Sequence, residues 1–371
     1  MEYIQNQKKL FMTIKKYQFY LSKIFMQKIL IVSFVFFCIG VIINFFEEVK
    51  FFNSYDVSLY FPLFLTFLNT PILLFELFPF ILLISTCFFY IHLSENEEID
   101  VLNNYGINNL KLLSILSLNS ILFGIIILLV FYSFSAELKN KYLNLKNKFS
   151  ENNEYLAVIN ENGLWIKEIV ENNQNIIHAK EFRHKFLEDI TITVLNSEHK
   201  IDKTILAKKA NISEDNWTLY GVKIIDHKKG IKELDKINYQ SSFNESLISN
   251  LFSNLNSLNL FELFKLYKNY KKIEYSTTEV SLQINKLFSQ PLFFLLMSVL
   301  GYLLVSKYEF IKSKFFTIIF AIFISVVIYY LNYISKLFGE NETIPIILSI
   351  WLPHLIIFLI CLLGVIKINE K

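Results

Sequence analysis

Six stretches of this chain are apolar over about the length a helix needs to cross a bilayer, roughly 20 residues, and that constrains the fold more than any other feature. The first is Ile24 to Phe46 (IFMQKILIVSFVFFCIGVIINFF), closed by Glu47 and Glu48, with Lys28 close enough to its inner end to snorkel. It is too long for a signal-peptide core and lacks a small-residue cleavage site, so it is expected to be retained. The second lies within Thr70 to Leu93, where Pro71 suits a helix start and Pro79 is expected to kink the interior. The others run from about Leu112 to Ser135, Leu287 to Val305, Phe315 to Ile334 and Ile344 to Ile366.

Composition agrees with this solvent. Mean hydropathy is +0.41, and 38 Phe stand against only 9 Gly and 6 Pro in 371 residues, more apolar surface than a soluble core absorbs. Phe, Ile, Lys, Asn and Tyr share AT-rich codons, so part of the Phe and Lys excess is compositional drift. The net charge of +3 is small, and the lysines are scattered among acids, which excludes a nucleic-acid footprint. Cys38, Cys87 and Cys361 lie inside apolar runs and read as buried small hydrophobes.

Orientation follows from lysines at span ends. Lys8, Lys9, Lys15, Lys16, Lys23 and Lys28 precede or begin the first run, Lys307, Lys312 and Lys314 lie between the fourth and fifth, and Lys367 and Lys371 follow the sixth. Placing these in the cytoplasm leaves only Lys50 and Lys336 in the two short outer loops, so both termini are expected inside. Residues 10–25, with lysines among apolar positions, read as an interfacial helix. The polar stretch SENEEIDVLNNYGINNL, residues 94–110, then falls on the cytoplasmic side between spans two and three. Its carboxylates, Glu95, Glu97, Glu98 and Asp100, do not offend the rule, which counts lysine and arginine and gives acids little weight. As a short helix it sets Glu98, Leu102 and, on the next turn, Tyr105 on one face, with Gly106 allowing a sharp exit.

Between spans three and four lies a long polar segment, placed outside by the same rule and large enough for a domain of its own. After a lysine-rich connector, Glu137 to Ser150, come short alternating runs: YLAVI, GLWIKEIV, NIIHAKEF, DITITVL, KTILAKKANI and NWTLYGVKII. Turn signals such as Glu161-Asn162-Gly163 and His227-Lys228-Lys229-Gly230 separate them, which points to an antiparallel sandwich or roll. From Asn259 the period turns helical and leads into span four.

Chemical motifs are sparse. The chain has no G-x-x-x-x-G-K-[ST] phosphate loop, no G-x-S-x-G, no H-E-x-x-H and no Cys-x-x-Cys. His178 and His184 read as a solvated pair, not a metal site. His354, inside span six, is either a functional polar residue or a packing histidine. Glu76 reads as lying at the interface, about a turn and a half past Pro71.

Several short stretches, in order along the chain, match one family. They are YLSKIF at Tyr20 to Phe25; NTPILLFELFPFILL from Asn69; EEIDVLNNYG from Glu97, like a family pattern S-E-L-x-x-x-x-A-x-G; GLWIKE from Gly163; INKLFSQPL from Ile284; and IPIILSIWLP from Ile344. Together they resemble the LptF/LptG permeases of lipopolysaccharide export, LptG more closely. The chain departs in having Asn44 where relatives often carry lysine, and Asn103 and Asn104 where alanine is favoured.

The resemblance implies an α-helical membrane protein with six transmembrane helices (3+3) and an inserted periplasmic antiparallel β-jellyroll domain. Its parts would be an N-terminal membrane half, 1–136, with a coupling helix at about 94–106; a β domain with its connector, 137–258; and a C-terminal membrane half, 259–371. It implies a non-enzymatic, inner-membrane permease subunit of an ABC transporter that extracts lipopolysaccharide and passes it to a periplasmic bridge. No cofactor is expected, ATP being bound by a partner. The partners implied are an LptF-like paralogue, an LptB-like ATPase dimer, and LptC-like and LptA-like jellyroll proteins. Glu97, Glu98, Ile99, Leu102, Tyr105 and Gly106 would couple to the ATPase. Asn44, Phe45, Glu47 and Lys50 would meet lipid, and Pro71, Pro79 and Trp165 would be structural. A non-transporting mechanotransmission subunit is the alternative, though its outer domain usually follows the first span. A membrane-embedded enzyme is opposed by the lack of converging intramembrane His, Asp or Glu groups.

Overall fold

The structure, a computed structural model, describes residues 2–149, 164–170, 173–183, 185–195, 201–214, 216–226, 230–241, 243, 254–272, 276–307 and 314–369. The expected strand YLAVI, the turn residues 161–163 and 227–229, His184, Lys312 and Lys371 lie outside the described residues, as do the side chains of Lys8, Lys9, Lys15, Lys307 and Lys314. Two compact units emerge: Met1–Tyr142 with Asn259–Leu263 and Thr278–Lys371, and Leu143–Leu258 with Phe264–Thr277.

The helices are α1 (Glu2–Phe52), α2 (Tyr60–Glu95), α3 (Glu98–Asn104), α4 (Asn109–Ile126), α5 (Tyr132–Lys146), α6 (Leu260–Lys272), α7 (Thr278–Lys307), α8 (Lys314–Glu340) and α9 (Ile346–Asn369). Among the described residues, six helical stretches are long and apolar enough to cross a membrane. The six expected spans are therefore present, several in longer helices than their apolar runs suggest. The chain before the first apolar run is not a separate helix: α1 continues through it without a break. No proline or glycine precedes Gly40, so nothing in the sequence interrupts the hydrogen-bond ladder.

Pro71 differs from expectation. Helix α2 begins at Tyr60, and Pro71 sits in its interior. Pro62 occupies the first turn instead, where a missing N–H costs nothing. Thr66 and Thr70 hydroxyls donate to the carbonyls one turn back, of Pro62 and Thr66, at 2.9 and 2.8 Å. Pro353 lies inside α9. Its ring leaves the Ser349 carbonyl without a helical donor, and the Ser335 hydroxyl of α8 supplies one at 2.6 Å.

Helix α7 is the hub of the membrane unit, with α2, α4, α8 and α9 packed on it. Lipid tails are as apolar as leucine, so spans associate through close backbone approach and polar contacts, not through hydrophobic expulsion. Both occur here. A Cβ on Gly301 of α7 would stand 2.5 Å from the Leu83 carbonyl oxygen of α2, and one on Gly124 of α4 would stand 2.9 Å from Pro291 Cα. The hydroxyls of Ser120 and Ser298 are 2.6 Å apart, joining α4 to α7. Between α4 and α5 the third span carries a π-turn, Ile127–Phe131.

The second unit holds six strands: β1 (Leu164–Val170), β2 (Asn173–Arg183), β3 (Phe186–Leu195), β4 (Ile201–Asn211), β5 (Asn216–Asp226) and β6 (Gly230–Gln240). They form one antiparallel sheet in the order β1-β2-β3-β4-β5-β6, so the inserted antiparallel domain is present and its described strands run as a meander. Register follows from side-chain alternation. Ile166, Ile177, Ile192, Ile205 and Ile224 are successive cross-strand partners, and most of that row lies in the buried core with Trp217 and Leu219. The Trp217 indole N–H donates to the Phe243 carbonyl, as a buried indole must find an acceptor. Strand β6 has no apolar alternation to mark it in the sequence: GIKELDKINYQ ends the described sheet, is mostly exposed and carries Lys232, Glu233, Asp235 and Lys236. Charges on an edge prevent further strand addition, and they also hide the strand from a pattern search.

Candidate functional site

The turn between the second and third spans is built by local chemistry. Glu97 takes a left-handed conformation (φ 58°), and α3 follows as a seven-residue helix with no buried residue. Gly106 leaves it at φ 74°, which glycine adopts without strain. Asn108 then caps α4, its side-chain oxygen accepting from the Lys111 N–H at 3.1 Å. The Lys111 ammonium reaches back to the Gly106 carbonyl at 2.8 Å, closing the loop on itself. Glu98, Ile99 and Leu102 are half-buried, while Glu97 and Gly106 are exposed. Tyr105 is 82% exposed. The Tyr20 hydroxyl of α1 donates to Glu98 Oε1 at 2.9 Å. The turn thus presents an aromatic ring and carboxylates to solvent from a frame fastened to two spans.

The far end of α1 separates the other expected residues. Glu47 and Lys50 are exposed and Phe45 is half-buried, whereas Asn44 is buried among helices. Asn44 Oδ1 accepts from Asn69 Nδ2 of α2 at 3.0 Å. Asn69 Oδ1 in turn accepts from the Lys139 ammonium of α5 at 2.7 Å. One turn along α1, Glu48 accepts from the Tyr142 hydroxyl at 2.7 Å, and Lys139 lies 4.5 Å from the centre of the Tyr142 ring. The sequence assigns no site role to Asn69, Lys139 or Tyr142. The available signal was a polar residue, Asn69, flanked on both sides by apolar stretches.

Glu76 is not at a helix end. It lies in the interior of α2 and pairs with Lys286 of α7 at 2.9 Å, both side chains only partly exposed. Helix α2 starts at Tyr60, so Glu76 lies further from the helix start than a count from Pro71 gives. The partner is an opposite charge on another helix, which the local sequence around Glu76 does not reveal. His354 is buried, its Nδ1 2.7 Å from the Ile350 carbonyl and its ring edge-on to Phe293 at 4.6 Å. Its Nε2 is buried with no hydrogen-bond partner among the described residues. Trp165 is exposed and lies over its cross-strand partner His178, ring centres 4.3 Å apart. Among the described residues no group of His, Cys, Asp and Glu is arranged to hold a metal ion.

Two spans contribute little to the interior. In the most apolar stretch of the first and fifth candidate spans, 17% and 22% of residues are buried, against 78% and 72% in the second and fourth. The outward faces carry Phe34, Ile42 and Phe46 on α1 and Phe316, Phe323 and Tyr330 on α8. A family model described as "Lipopolysaccharide export system permease LptF/LptG" matches residues 19–367. No curated protein matches the chain.

Proposed function

Since the chain belongs to the lipopolysaccharide export permease family LptF/LptG, a family of multi-pass, non-enzymatic transport subunits, we propose that it is the LptG-like half of an ABC transporter. In this reading it pairs with an LptF-like paralogue in the inner membrane, with both termini cytoplasmic and the β domain periplasmic. The observation that carries the reading is the pair of uncovered apolar faces on α1 and α8. Acyl chains gain by burial against such Phe- and Ile-rich walls, at about 0.8 kcal/mol per buried CH₂, and a paralogue bringing matching faces would close a cavity. Phe45, Glu47 and Lys50 border its outer mouth, where the Lys50 ammonium meets lipid phosphate by charge-assisted hydrogen bonds. Asn44 contributes from behind, by setting the position of α1.

ATP is bound and hydrolysed by a separate LptB-like dimer, which docks on α3 and its flanks. Tyr105 fills a groove of the ATPase, Ile99 and Leu102 support it, and Glu97 and Glu98 meet basic groups. Gly106 lets the chain turn back into α4. Closure of the cavity expels lipopolysaccharide toward the β domain, which passes it to LptC-like and LptA-like jellyroll proteins.

The test is co-purification of the tagged chain from the cells that make it. A complex containing a paralogous permease and an ATPase, which photocrosslinks lipopolysaccharide through a probe at position 46, is the expected result. Absence of both partners would overturn the reading.

A further inference from the structure

From Ser33 to Phe51 only two side chains of α1 are buried, and both are polar: Asn44 and Glu48. Nearer its inner end the helix is held by apolar packing, through Leu21, Ile24, Phe25, Ile29 and Val32, with Phe25 edge-on to Phe89 of α2 at 5.6 Å. The outer half is attached differently. Gly40, Asn44 and Glu48 recur every fourth residue, so they line one face of the helix. Gly40 lets α2 approach, a Cβ there standing 3.1 Å from Thr70 Cγ2. Asn44 bonds through Asn69 of α2 to Lys139 of α5, and Glu48 bonds to Tyr142 of α5.

We propose that Asn44 and Glu48, with Asn69, Lys139 and Tyr142, form a polar clasp that positions the outer half of α1 against the bundle, while the inner half serves as its fixed base. The inference deepens the transport reading and rests on it for its consequence, the width of the lipid cavity beside α1. Its physical basis is independent of that reading. An apolar helix face is about as well solvated by lipid as by protein, so apolar contact alone does not define where a span docks. A hydrogen bond does, because it is directional and is lost when the helix moves away from its partner. The clasp therefore acts as a two-position device: closed, α1 lies on α2; open, its outer half turns about the inner packing.

The experiment measures α1 directly. In the purified full-length protein, with whatever subunits accompany it, in lipid nanodiscs and without nucleotide, Cys38, Cys87 and Cys361 are replaced by alanine, and spin labels are placed at positions 46 on α1 and 118 on α4, both exposed. The parent gives one narrow distance distribution. Tyr142→Phe, which removes one oxygen and keeps the ring, adds a population displaced by up to about 10 Å, the diameter of a helix. Glu48→Leu does the same. Glu48→Gln, whose amide oxygen still accepts from the Tyr142 hydroxyl, keeps the parent distribution. Unchanged distributions in both Tyr142→Phe and Glu48→Leu overturn the clasp, and so does a Glu48→Gln distribution as broad as that of Glu48→Leu. Because the labels report without lipid transport or ATP turnover, this result stands apart from the co-purification that tests the function.

Discussion

The Tyr20 hydroxyl donates to Glu98 Oε1 at 2.9 Å, joining residues 78 positions apart in sequence. It links the inner part of the first span to the exposed turn proposed to meet the ATPase. In the proposed transport reading, this bond is the route by which a displacement of α3 would reach α1.

Charge reversal of Glu98 to Lys removes the Tyr20 acceptor and the acidic contact proposed for the ATPase. The variant is expected to insert normally and to lose co-purification of the ATPase. Tyr20→Phe keeps the surface charge and loses one half-exposed hydrogen bond, about 1 kcal/mol, so ATPase binding survives. A pull-down that is equal for Glu98→Lys and the parent contradicts the coupling role.

Lys50→Glu places a carboxylate at the exposed outer end of α1. It is expected to reduce lipid photocrosslinking several-fold, with membrane insertion and partner binding unaltered. Crosslinking equal to that of the parent counts against a phosphate contact at this position.

The Glu76 and Lys286 pair is partly exposed, so its coupling is weaker than that of a fully buried pair. Removing one partner by Glu76→Leu is expected to cost about 1–2 kcal/mol, discounted from the 3–5 kcal/mol of a buried pair. Adding Lys286→Met to Glu76→Leu is expected to recover most of that loss, since no charge is then left without its partner. Unfolding of the detergent-solubilised protein measures both, and a double variant less stable than Glu76→Leu refutes the pairing as the cause.

Gly301→Ala directs a methyl group at the Leu83 carbonyl, 2.5 Å from where it would sit. Because that atom is backbone, relief requires α2 and α7 to separate. The expected destabilisation is about 1–3 kcal/mol, read as a lowered unfolding temperature. An alanine at Gly106, where a Cβ meets nothing within 4 Å but φ is 74°, acts through backbone strain instead and is expected to alter the turn after α3 while leaving helix packing intact.

Particular residues show how much was legible in advance. The six apolar runs announced six spans because length and hydropathy are one-dimensional properties. Alternation in DITITVL marked β3 as half-buried, and its burial does alternate in the structure. The polar turn was visible because carboxylates between apolar runs have nowhere to go but solvent. Helix α2 was read too short because Pro71 resembled a start signal, and β6 had no apolar alternation to mark it.

The sequence by itself determined which segments enter the membrane, that an antiparallel β domain interrupts them, and that the turn at 97–106 is polar. Only the tertiary structure decided that Glu76 meets Lys286, that Asn44 faces inward to Asn69, and that Lys139 and Tyr142 of α5 hold the outer half of α1. The physical reason lies in the spans themselves. A helix apolar on every side has no stripe to tell its protein face from its lipid face, so the choice of face waits on close approach and on the few polar groups whose partners lie on other helices.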